Sequence, residues 1–141
     1  MSSLISDDVS NFNWLLNSFV ESSAGVCDAV AVSSDGLLMA MSKTLDRASA
    51  EQVAAIISGL VGLGRGAARA FGFDPLQQVI IAMDGGYLFV SSISDGSSIG
   101  VVATSNCDVG LVGYQTSLLL ERVSSVLTPA LVAELRSAVL R

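Results

Sequence analysis

The run Gly62-Leu63-Gly64-Arg65-Gly66-Ala67 has the G-x-G-x-x-[GA] spacing of a dinucleotide-binding turn. That chemistry needs the glycines between a strand and the start of a helix, where backbone N–H groups and the helix dipole hold a pyrophosphate. Reading Val53 to Val61 as the strand leaves only Ala67 to Ala70 for the helix, too short to lend a useful dipole. No G-x-x-x-x-G-K-[ST] run is present, so the chain is not a P-loop nucleotidase. It holds no histidine, which removes Ser-His-Asp and Cys-His nucleophile pairs and most zinc sites. Its carboxylates fall where caps and turns need them: Asp7, Asp8, Asp46 and Asp108 before helical segments, Asp35, Asp84 and Asp95 in turns. Asp28, Glu21, Glu121 and Glu134 form no evident acid/base pair. The expectation is a protein without catalytic residues, cofactor or metal. Cys27 and Cys107 are far apart and form no CxxC; they read as buried free thiols.

The elements are set by three Asp-Gly pairs, Asp35-Gly36, Asp84-Gly85 and Asp95-Gly96, each between apolar runs. Asp-Gly suits the positive backbone angles of tight hairpin turns. Asp7 or Asp8 caps a first helix to about Ser23, with Val9, Phe12, Leu16, Phe19 and Val20 on one face and Trp14 opposite. Val26–Ser33 and Leu37–Met41 form a hairpin. Asp46 or Thr44 caps the longest helix, which ends near Gly72. Gln77–Met83, Gly86–Ser92 and Ser98–Thr104 are three further strands. Asp108 caps a helix to about Leu127, apolar on both sides (Val112, Leu119, Val123, Leu127 against Leu111, Tyr114, Leu118) and so expected to be sandwiched. Thr128-Pro129 starts a short last helix. Hairpin connections imply an antiparallel sheet with helices against its faces. The fold class is α+β, in the order α-β-β-α-β-β-β-α plus the C-terminal helix. The chain reads as one domain, 1–141, with its core in 8–127 and a helical extension at 128–141.

The middle helix carries the most telling pattern. Val53, Ile56, Ile57, Leu60, Leu63 and Ala67 form the side expected to cover the sheet. The back face holds Ala54, Ala55, Ser58, Gly62 and Gly66 with Glu51, Arg65 and Arg69, where a solvated helix would carry a run of charge. Ser58, Gly62, Gly66 and Ala70 recur every four residues, a spacing that lets another helix approach closely. Each helix-interior glycine costs roughly 1 kcal/mol relative to Ala, which a close-packed partner offsets. A second copy, a different protein, or the domain's own elements are the candidates for that place. Trp14 is a second candidate contact, either for a partner or for the last helix.

Composition sets the outer bounds. At 141 residues the chain is 51% hydrophobic and only 14% charged, with a net charge of −6. That charge disfavours nucleic acid and anionic membranes as partners. The twelve-residue apolar stretch Val53–Gly64 is short for a membrane span. Met1–Asp8 shows no basic-then-apolar signal, so a cytoplasmic location is expected.

Six stretches together resemble the Roadblock/light-chain-7 family, named for dynein light chains, and its actinobacterial members in particular. They are Phe12-Asn13-Trp14-Leu15-Leu16, Ser33-Ser34-Asp35-Gly36-Leu37, Leu45-Asp46-Arg47 leading into Ser58-Gly59-Leu60, Met83-Asp84-Gly85-Gly86-Tyr87-Leu88-Phe89-Val90, Cys107-Asp108-Val109-Gly110-Leu111-Val112, and Leu127-Thr128-Pro129-Ala130-Leu131. The resemblance implies a five-stranded antiparallel sheet flanked by helices. It implies a homodimer in which third strands pair edge to edge and middle helices pack together, so that Ala55, Ser58, Gly62, Arg65, Gly66, Arg69, Val79 and Ile81 become interface residues. It also implies a non-enzymatic scaffold or regulator of a small Ras-like GTPase, in a module that includes a sensor-kinase-like protein. Arg65 and Arg69 face outward in this reading, but the family lends no support to an arginine finger. A sensory or small-ligand domain of PAS-like or profilin-like architecture is the alternative.

Overall fold

The computed structural model describes residues 6–140. Met1–Ile5, most of the segment read for an export signal, lie outside the described residues. Helix α1 (Asp7–Ser22) leads into β1 (Val26–Val32) and β2 (Leu38–Met41). Helix α2 (Arg47–Phe71) follows, then β3 (Gln78–Met83), β4 (Gly86–Ser92) and β5 (Ser98–Thr104). Helices α3 (Val109–Val126) and α4 (Pro129–Val139) complete the chain. The strands form one antiparallel sheet in the order β2-β1-β5-β4-β3.

Local chemistry explains most boundaries. Ser49 N donates to Asp46 Oδ1 at 2.7 Å, Leu111 N to Asp108 Oδ1 at 3.1 Å, and Leu131 N to Thr128 Oγ1 at 3.1 Å. Each cap satisfies an otherwise orphaned N–H of a first turn. The first helix differs from expectation: Ser6 is its cap, accepting from Val9 N, while Asp7 and Asp8 lie in the first turn, where their charge suits the helix dipole.

The Asp-Gly turns divide into two kinds. Ser33–Leu37 and Ile93–Ser97 are longer loops whose glycines, Gly36 (φ 84°) and Gly96 (φ 93°), take the left-handed conformation. They lie side by side at one end of the sheet; a Cβ on Gly96 would sit 3.0 Å from Ser34 Cβ. Asp84-Gly85 is the tight turn, with Met83 paired to Gly86, yet neither Asp84 nor Gly85 has a positive φ. The glycine needed there is Gly86, because a Cβ on it would lie 2.3 Å from the Ala103 carbonyl oxygen of β5.

Strand alternation builds two cores. On one face Ala29, Ala31, Phe89, Ile99, Val101 and Ala103 pack against Val9, Phe12, Leu16 and Phe19 of α1 and Val112, Leu119 and Val123 of α3. On the other, Val30, Val32, Leu38, Leu88 and Val90 pack mainly against α2. Helix α4 packs along β2, placing Leu131 and Leu135 in the first core and Val139 beside the second. One edge of the sheet is thereby covered and the other, β3, is bare.

Candidate functional site

Helix α2 meets the sheet through Ala50, Ala54, Ile57 and Val61. The expected sheet-facing set is only partly right. Ile57 is buried and Val53 and Leu60 are half-buried, but Ile56, Leu63 and Ala67 are exposed, Leu63 at 75%. Ala54, read as back face, is instead buried. Close approach to a sheet favours small side chains, so Ala50 and Ala54 take the contact and push the larger residues outward.

The outward side of α2 then consists of Ala55, Gly59, Gly62 and Gly66 with Ile56 and Leu63 on its flank, all on one side at helical spacing. Among the described residues, a side chain built at Gly59 or Gly62 would meet nothing within 4 Å, and at Gly66 only Arg69 Nη2 at 3.9 Å. Ala55, Gly62 and Gly66 are thus where the sequence placed them, and Gly59 joins them. Ser58 is exposed but sits at the edge of this face, with its Oγ 2.8 Å from where a Cβ on Gly36 would lie. Arg65 does not face outward. Its Nη2 donates to Ser92 Oγ (3.0 Å) and to the Gly96 carbonyl (3.4 Å), tying α2 to the β4–β5 hairpin. Arg69 is exposed, one turn further on.

Strand β3 continues this surface. Val79 and Ile81 lie in this edge strand, as expected, with their side chains packed under α2, while Ile80 (47% exposed) and Met83 are exposed. Leu76, just before the strand, fills the space over Gly64 of α2. Among the described residues only β4 pairs with β3, so its other edge offers free backbone groups, a template for a further strand. Bare helix face and bare strand edge are therefore adjacent.

Other candidate residues separate from this site. Trp14 is 62% exposed and lines a cleft of about 490 Å³ with Leu15, Val126 and Leu131; α4 does not cover it. Leu111, Tyr114 and Leu118 are likewise exposed, so α3 is not sandwiched; α1 and α3 lie side by side on the sheet and leave their outer sides open. Cys27 and Cys107 are free and half-buried, not fully buried. The Gly62–Ala67 motif lies wholly inside α2, without the strand-turn-helix setting that phosphate binding needs.

The carboxylates act locally. Ser33 Oγ donates to Asp35, which with a backbone contact and Arg136 Nη1 (3.1 Å) holds the Asp35 carboxyl below its usual range. The Asp46 carboxyl is lowered by the Ser49 backbone and side chain. Asp95 accepts from Ser97 N and Oγ. Among the described residues no cluster of three His, Cys, Asp or Glu could hold a metal ion. Helix α2, at 25 residues and a mean hydropathy of 1.3 in its most apolar window, passes the length and composition test for a membrane span that the shorter stretch read from sequence did not. One of its stripes is nonetheless committed to the sheet, which makes it an amphipathic element of the domain with two greasy sides.

The Roadblock/LC7 domain model matches residues 12–103. A crystal structure of a Roadblock/LC7 domain from Streptomyces avermitilis is similar at 34% identity, over 80% of this chain and 94% of that one, with a TM-score of 0.76. Myxococcus xanthus MglB is similar in fold at 14% identity, over 83% and 94%, with a TM-score of 0.75. A structure described as MglB with tetrameric arrangement is similar at 13% identity, over 86% and 90%, with a TM-score of 0.77. Among curated proteins none matches this sequence.

Proposed function

We propose, for a chain that belongs to the Roadblock/LC7 domain family, the role of a homodimeric, non-enzymatic scaffold that binds a small Ras-like GTPase and modulates its nucleotide cycle or its location in a cytoplasmic signalling module. The observation that carries this reading is the adjacency of the open α2 face, Ala55-Gly59-Gly62-Gly66, to the unpaired edge of β3, on a sheet whose opposite edge is covered by α4. Two copies related by a two-fold axis satisfy both surfaces at once, since such an interface is self-complementary. Val79 and Ile81 lie in β3 on its α2 side, and the exposed Ile80 is presented on the opposite side of the same strand.

Light scattering tests the assembly: the wild type runs with the mass of two chains, and Gly62→Leu or Gly66→Leu runs as one while keeping its far-UV circular dichroism. An unchanged dimer mass in both variants defeats the interface assignment. Partner binding is tested by calorimetry with the small GTPase of the same signalling module, loaded with GDP or with a non-hydrolysable GTP analogue. Binding in at least one state is expected, and none in either removes the GTPase from the proposal. The sensory alternative gains nothing from the cores, which are filled by side chains on both faces of the sheet.

A further inference from the structure

Where α2 ends, a cleft of about 800 Å³ opens between the helix, the loop into β3 and the tip of the β4–β5 hairpin. Arg65 and Arg69 line it together with Phe73, Leu76, Ser92 and Ser94. This local charge runs against the molecule's net −6. Arg47 is paired with Glu51 and Arg136 with Asp35, but neither Arg65 nor Arg69 has a carboxylate within 4 Å among the described residues.

Arg65 is held in place through one nitrogen by Ser92 and Gly96, which leaves the rest of its planar fork unspent. At the helix end the Arg69 and Ala68 carbonyls are taken by Gly72 N and Phe73 N. Asp95 lines the same cleft, its oxygens accepting from Ser97 N and Oγ, so the lining holds two guanidinium groups against one carboxylate. Phe73, which lines the cleft with the arginines, stacks on Phe71 outside it at 5.5 Å between ring centroids, the rings of Phe71 and Phe73 being 70% and 73% exposed. An aromatic pair left in water next to free guanidinium groups is the composition of an interface hot spot.

We infer that this cleft docks an acidic segment of a partner protein, its carboxylates on Arg65 and Arg69 and an apolar side chain of the segment on Phe73. Charge complementarity selects the occupant. The cleft is an open trough much larger than a single oxyanion requires, and the exposed ring pair has no use in binding one. Two arginines in an acidic protein are too few for a nucleic-acid track. The inference rests on the scaffold reading, and because Arg69 Nη2 lies 3.9 Å from where a Cβ on Gly66 would sit, it requires an assembly that leaves the Arg69 guanidinium open.

The probe is a short fluorescein-labelled peptide of Glu interspersed with Leu, followed by anisotropy against the full chain at low salt. Binding is expected, weakening as salt rises, with a loss of about tenfold or more in Arg69→Glu and a smaller loss in Arg69→Lys. Phe73→Ala weakens it as well. Equal affinity for the same peptide with Gln in place of Glu, or an unaltered affinity in Arg69→Glu, overturns the inference. Full displacement of the peptide by inorganic phosphate at matched ionic strength also overturns it, by showing a simple anion site. Arg65 is left unaltered because it holds the hairpin. Light scattering on each variant reads the dimer separately, so a chain that is monomeric yet binds the peptide refutes the assembly and not the cleft.

Discussion

At the scale of single residues, the positions that matter most are those where a neighbour leaves no room or where a cap has no substitute. Gly86→Ala pushes a methyl group into the Ala103 carbonyl, which belongs to backbone and cannot swing aside. Overpacking of this kind costs roughly 1–3 kcal/mol. Gly85→Ala, one residue away, meets nothing within 4 Å and is the control. Urea denaturation should place the midpoint of the first variant well below that of the second. Asp46 gives a pH-dependent counterpart. Its carboxyl is lowered in the fold by the Ser49 contacts, so its stabilising effect is full above the ordinary carboxylate pKa and fades as pH falls through the depressed value. Asp46→Ala should therefore be less stable than the wild type at neutral pH, and the gap should narrow in acid melts.

At the scale of elements, caps and turns made most boundaries legible. Asp46, Asp108 and Thr128 announce α2, α3 and α4 because a cap is a local interaction between residues three apart. Facing was less legible. In α2 both sides are apolar or small, so a helical wheel picks the bulky Ile56 and Leu63 for the core, whereas the sheet accepts Ala50 and Ala54. The role of Arg65 was hidden for another reason: its partners, Ser92 and Gly96, are 27 and 31 residues away, beyond any local pattern. The cover that α4 gives β2 was equally non-local. It suggests a test on Leu135, which is 1% exposed in the core under that helix. Leu135→Ala should destabilise the protein by about 2–5 kcal/mol and, by loosening α4, raise its tendency to aggregate on heating. A midpoint unchanged in thermal and urea melts would show that α4 is not part of the cooperative unit.

At the scale of the whole molecule, the two faces of the sheet are finished differently. Beneath α1 and α3 the core is broad; over the other face α2 is the main cover and turns a bare side outward. The family fold was legible from the order of its elements, and the open face of α2 only in outline, because missing charge marks such a face without stating what lies across it. If two copies join along β3, Ile80→Lys, at the exposed centre of that strand, should halve the mass seen in solution while the monomer keeps its melting cooperativity. Calorimetry alongside light scattering checks both halves of that outcome.

The unequal finish of the two sheet margins has a further result. Unpaired strands usually invite endless addition of more strands, the route to fibres. If two molecules join along β3, the bare margin of each is used up and the outer rims of the doubled sheet are both roofed by α4. Growth would then stop after one step, and a chain this rich in oily residues could offer a sticky rim without polymerising.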